Sequence, residues 1–147
     1  MGSLAVALAG CSQGSVSHRP SLGELPLVGG AMIVANVQQC DRGASSFCAI
    51  ELVVVDGRYP SSDALVTGEH RKLRKQGWAG AGGDTGDERA AESPGRKLRV
   101  TYATAYGELK GIDLKWVQRP HTITMALSRA MFDRHPAMAL LLEPGPS

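Results

Sequence analysis

Ala49-Ile50-Glu51-Leu52-Val53-Val54-Val55 reads as a buried strand. Its β-branched content and short length suit a strand better than a helix. From Leu52 to Val55 every position is apolar, which predicts cover on both faces and a central place in a sheet. Asp56-Gly57 closes it with turn-forming residues. On its N-terminal side, Ala31-Met32-Ile33-Val34-Ala35-Asn36-Val37 is a second short apolar run and a second strand. Before that, Leu22–Gly30 contains Pro26 and Gly29-Gly30. It is extended or turning, with Leu25, Leu27 and Val28 available for packing.

On the C-terminal side, Pro60-Ser61-Ser62-Asp63 resembles a helix start. Ser61 or Ser62 is the cap, and Asp63 lies near the positive dipole end. The helix runs to Gln76, and Gly77 supplies its stop. Leu65, Val66 and Leu73 make an incomplete apolar stripe, and Gly68 weakens the helix by up to about 1 kcal/mol relative to Ala. Trp78 can fold back onto the core. Ala79–Lys97 is rich in Gly, Asp, Glu and Arg and reads as a mobile hairpin tip, with a short strand at Trp78–Gly80 pairing across it.

Leu98-Arg99-Val100-Thr101-Tyr102-Ala103-Thr104 alternates, with Leu98, Val100 and Tyr102 on one face, and is the clearest strand. Tyr106–Val117 shows helical spacing at Leu109, Ile112 and Trp116. Pro120 stands where a further helix begins. Ile123, Ala126, Leu127, Ala130 and Met131 form an amphipathic stripe that His135-Pro136 breaks. Leu140-Leu141-Leu142-Glu143 adds a possible edge strand. The expected fold is α+β: a small sheet of three or four strands with two or three helices packed on one face.

The chain has 147 residues, of which 43% are hydrophobic. That suits one core and argues against wholesale disorder. With 16 basic and 14 acidic side chains the net charge is only +2, so no global field favours nucleic acid. The apolar stretch Leu4–Gly10 is far short of the roughly 20 residues that cross a bilayer as a helix.

Leu8-Ala9-Gly10-Cys11 resembles the lipobox of bacterial lipoproteins. In that family the peptide is cut before the cysteine, whose sulfur takes a diacylglycerol and whose new amino group is often acylated. Small Ala9 and Gly10 suit a narrow cleavage groove, and Leu8 supplies an apolar contact. Several acyl chains hold a protein at a membrane far more firmly than one. Residues 1–10 then form a truncated signal peptide. It departs from the usual pattern in having no Lys or Arg before Cys11 and a short apolar stretch, so either translation begins upstream or Leu4–Cys11 is an accidental apolar run. Residues 11–21, Ser-rich and aperiodic, form the lipidated flexible tether. Residues 22–143 form a single domain and 144–147 a tail. The Gly-, Ala-, Val- and Arg-rich usage is similar to that of actinobacterial lipoproteins.

The three cysteines are Cys11, Cys40 and Cys48. With Cys11 acylated, Cys40 and Cys48 remain, flanking a Gly- and Ser-containing loop that a disulfide could close, as happens outside the cytoplasm. Two buried free thiols are the alternative. A metal site is disfavoured because His18, His70, His121 and His135 are scattered and none lies near Cys40.

No reaction centre stands out. G-x-S-x-G is absent. Ser128, Asp133 and His135 are near one another in sequence, but at a helix end His135 reads as a favourable terminal cation. Asp84, Asp87 and Glu88 do not reproduce a Ca²⁺ loop, and Gly80-Ala81-Gly82-Gly83 lacks the Lys-Ser/Thr ending of a phosphate-binding loop. No metal or cofactor is expected. The sharpest charge feature is His70-Arg71-Lys72-Leu73-Arg74-Lys75. Arg71, Lys72, Arg74 and Lys75 could touch an anionic lipid surface or form a solvated helix face.

The expectation is therefore a non-catalytic envelope module on the extracytoplasmic side of the cell membrane. It would bind a protein, a cell-wall component or the membrane surface, and no nucleic acid. The first alternative is a small-ligand-binding domain or enzyme whose site is assembled from dispersed residues, with Trp78, Tyr102, Tyr106 and Trp116 as lining. The second is an intracellular protein with an accidental lipobox.

Overall fold

A computed structural model describes residues 18–40, 48–81, 88–104, 121–126 and 128–146. Its strands are β1 (Met32–Cys40), β2 (Cys48–Val55), β3 (Ala79–Gly80), β4 (Glu88–Glu92), β5 (Leu98–Ala103) and β6 (Ala137–Pro144). Its helices are α1 (Ser62–Lys75), α2 (His121–Ala126) and α3 (Arg129–Arg134). The strands form one antiparallel sheet in the order β1-β2-β6-β5-β4-β3.

This corrects the expected three- or four-stranded sheet with two or three helices on one face. The sheet has six strands, and among the described residues only α1 is longer than six residues. Three local readings account for the difference. The apolar tail pairs with β2 on one side and β5 on the other, so β6 is an interior strand and not an edge. The segment read as a mobile tip contains β4, paired along its length with β5. The stripe from Ile123 to Met131 is split, because Ser128 takes extended backbone (φ −70°, ψ 147°) and α3 begins afresh after it. The helical reading of Tyr106–Val117 lies outside the described residues.

Strand alternation sends successive side chains to opposite faces, and both faces are covered. On the first, Ile50, Leu52 and Val54 of β2 pack with Met138, Leu140 and Leu142 of β6 and Leu98, Val100 and Tyr102 of β5. Leu65, Val66 and Leu73 of α1, Trp78, Leu25 and Val28 cover them. On the second, Ala49, Val53, Ala137, Ala139 and Leu141 pack beneath Ile123 and Ala126 of α2 and Phe132 of α3. Two-sided cover explains why β2 and β6 are apolar almost throughout.

At the β1 edge the register shifts between Ile33 and Ala35, a bulge of the kind that discourages edge-to-edge pairing. α1 matches its sequence signals closely. Ser61 in extended backbone caps it by accepting from the Ala64 N–H at 3.1 Å, Gly77 follows its last turn, and Trp78 is buried. The cysteine reading also holds: Cys40 and Cys48 stand directly opposite one another in β1 and β2 and are joined by a disulfide.

Candidate functional site

The α1 cations separate in space. Helical spacing puts Gly68, Arg71, Lys72 and Lys75 on one flank. That flank faces the Val28-Gly29 turn and the Arg58-Tyr59 segment, and together these line an open cleft of about 370 Å³. Arg74 lies elsewhere, with its guanidinium beside Gly80. The structure thus brings together three of the four cations singled out from the sequence and adds Arg58.

Each wall has a local cause. After β2, Asp56 is buried and its carboxylate organises the turn. It accepts from the Arg58 backbone N–H at 3.1 Å and from the Arg58 guanidinium at 2.9 and 2.6 Å. These bonds hold the Asp56 carboxyl below its ordinary range and keep the Arg58 guanidinium firmly protonated. Two glycines make room for the Tyr59 and Arg58 side chains. A Cβ at Gly68 would stand 2.5 Å from the Tyr59 hydroxyl, so the absence of a side chain lets the tyrosine lie across the helix. At Gly30 (φ 89°) a Cβ would stand 2.6 Å from Arg58 Cζ. The glycine that lowers helix propensity is therefore a packing requirement.

Beside the cleft, Glu69 is fully buried in the helix face that turns toward the sheet. Its Oε2 accepts from the Val28 N–H at 2.9 Å. Its Oε1 has no hydrogen-bond partner among the described residues. Burial pushes the Glu69 carboxyl up to about 7, against the opposing effects of the Val28 bond and the positive charge of Lys72. Glu69 is the missing member of the incomplete stripe Leu65, Val66, Leu73. A carboxylate at a helical core position was a readable signal that sequence reasoning passed over. Arg58 had no comparable signal.

The other candidates fare differently. Asp133 and His135 line an open cavity of about 430 Å³ with Ser61, Ser62, Asp63 and Thr104, and Ser128 is not among its walls. The Ser62 hydroxyl is committed to structure: it accepts from the Ala137 N–H at 3.0 Å and lies 3.5 and 3.4 Å from the Phe132 and His135 carbonyls. It ties the start of α1 to the turn between α3 and β6. Trp78 and Tyr102 are buried in the core, and His70 Nδ1 meets the Tyr102 hydroxyl at 3.0 Å.

Cys11, Tyr106, Trp116, Asp84 and Asp87 lie outside the described residues. Among those described, no group of three or more His, Cys, Asp or Glu could hold a metal ion, and no helix is long and apolar enough to cross a membrane. No protein-family model, curated protein or solved structure matches the chain.

Proposed function

We propose that the protein is an exported, lipid-anchored binding module of a bacterial envelope, held at the membrane by acyl groups on Cys11. The observation that carries this reading is the Cys40–Cys48 disulfide. Such a bond persists in oxidising surroundings and is rare in a reducing cytosol, and it leaves Cys11 as the one thiol of the three available for acylation. The lipobox-like Leu8-Ala9-Gly10-Cys11 supplies the chemistry of attachment. The domain would then act by binding, as the geometry favours. The described residues include a cation-lined cleft, and Ser62, which lines a cavity with Asp133 and His135, spends its hydroxyl on backbone groups.

The test is metabolic labelling of cells with a clickable fatty acid, using the gene with its native upstream sequence. The protein should take up label, and Cys11→Ala should abolish it. Cys40 and Cys48 should resist alkylation until reductant is added. An intact, unacylated peptide running through Cys11 in native mass spectra would refute the anchor. Free Cys40 and Cys48 thiols in freshly quenched cells would refute the exported address.

A further inference from the structure

We infer that the cleft of Arg58, Arg71, Lys72 and Lys75 is the face the domain lays against the bilayer, where it receives the phosphodiester of an anionic lipid headgroup. The inference rests on the reading of Cys11 as a lipid anchor and names the surface that the anchored domain contacts.

Three observations converge. The first is charge. Arg58, Arg71 and Lys75 are exposed and Lys72 is half-buried. Asp56 and Arg58 neutralise one another as an ion pair, which leaves the charges of Arg71, Lys72 and Lys75, and the other acid beside them, Glu69, is buried beneath the helix. The cleft therefore carries net positive charge in a protein whose overall charge is only +2. The second is shape. Gly30 and Gly68 let the Arg58 guanidinium and the Tyr59 ring lie close against the backbone, and beside them Arg71, Lys72 and Lys75 line an open cleft of about 370 Å³. Guanidinium groups match phosphate oxygens in a fork geometry, and lysines add mobile point charges.

The third is the route of the chain. The Gln38 side chain donates to the Pro20 carbonyl at 3.4 Å, and Gln38 stands opposite Ile50 in the register. Ile50 belongs to the core that α1 covers. The chain thus enters the domain on the face that bears α1. From Cys11 to His18 there are seven residue steps, at most about 25 Å of extended chain. A tether of this reach, joined on the α1 side, lets that side meet the membrane.

The full chain carrying Cys11→Ser, and so free of acyl groups, is mixed at low salt with vesicles of two compositions. One is equal parts phosphatidylglycerol and phosphatidylcholine, the other phosphatidylcholine alone. Co-sedimentation is expected with the first and not the second, and added salt should reverse it. Each cation near an anionic surface is worth about fivefold in binding, so Arg71→Gln, Lys72→Gln and Lys75→Gln together should weaken it about 100-fold. Arg74→Gln, off the cleft, should weaken it less than any one of the three cleft substitutions does alone. The triple variant's urea midpoint, unchanged, shows that it still folds.

Equal partition onto both vesicles, or a triple variant that binds as the parent does, overturns the proposal. So does release from the vesicles by millimolar inorganic phosphate, which would make the cleft a free-phosphate site. Acylation is read separately by fatty-acid labelling of the native protein. A failed anchor with intact vesicle binding, and an intact anchor with failed vesicle binding, are thus distinct results.

Discussion

Replacing Glu69 by Gln should remove most of a pH dependence that this one carboxyl imposes on folding. Glu69 is fully buried on α1 and holds the Val28 N–H at 2.9 Å. Burial raises its carboxyl from an ordinary 4.5 to about 7. Between those two values the unfolded chain has lost the proton and the folded chain still carries it. Because the folded state binds more protons there, stability falls as pH rises from about 4.5 to about 7 and levels off above. At about 1.4 kcal/mol per pH unit, the fall amounts to about 3 kcal/mol, a large part of the 5–15 kcal/mol typical of a domain.

Gln keeps a carbonyl acceptor for Val28 and has no charge to desolvate. Glu69→Gln should therefore resemble the parent near pH 5 and exceed it by about 3 kcal/mol near pH 8. Urea melts of parent and variant at the two pH values measure this directly. Glu143, also raised by burial, contributes in the same direction to both proteins and cancels in the comparison. A parent equally stable at both pH values, or a variant that loses as much as the parent, refutes the reasoning.

Other perturbations probe separate parts of the structure. Removing the disulfide with Cys40→Ser and Cys48→Ser should cost about 2.5 kcal/mol, the loop entropy for its separation of eight residues, read as a lower urea midpoint in non-reducing buffer. An unchanged midpoint would refute that magnitude. Gly68→Ala should gain about 1 kcal/mol of helix propensity but displace the Tyr59 ring, with a crowding cost of about 1–3 kcal/mol. The net result should be a lower melting temperature, and a higher one would show that Tyr59 moves freely. Ser62→Ala should cost about 1–3 kcal/mol by leaving the buried Ala137 N–H without its acceptor, and a loss confined to experimental error would count against that role.

Where local chemistry dictates structure, the sequence was legible. Ser61 and Gly77 bracket α1 because a cap and a stop act within a few residues, and the apolar run of β2 reported its burial on both faces. What stayed hidden depends on partners far along the chain. Glu88–Glu92 has little strand propensity of its own and is a strand because β5 pairs with it and Ala90 and Ala91 find cover. The order of strands is likewise topological. Leu140-Leu141-Leu142 shares the two-sided apolar signature of Leu52–Val55, yet nothing local says that it lies beside that strand. In the candidate site, Arg71, Lys72 and Lys75 were legible as a charge run. The split from Arg74 is a matter of helical phase, and the addition of Arg58 is a tertiary fact.

The place of β6 leads to the most demanding prediction. β1 and β2 pair with each other, and β3, β4 and β5 form a meander, but no strand of the first group pairs with a strand of the second. β6 alone joins them, running from Ala137 opposite Val55 to Leu142 opposite Ile50 on one side and from Ala139 opposite Ala103 to Pro144 opposite Leu98 on the other. It also brings Met138, Leu140, Leu141 and Leu142, all essentially fully buried and contributing to both cores. At about 1.5–3 kcal/mol for each large side chain buried, their loss removes about 6–12 kcal/mol, comparable to a whole domain's stability. A chain ending at Pro136 should therefore show no cooperative urea transition. A synthetic peptide of residues 137–146 added in excess should restore one, with a midpoint that rises with peptide concentration. If the shortened chain instead melted cooperatively near the parent's midpoint, the two groups of strands would hold together without β6, and the sheet order described above would be wrong.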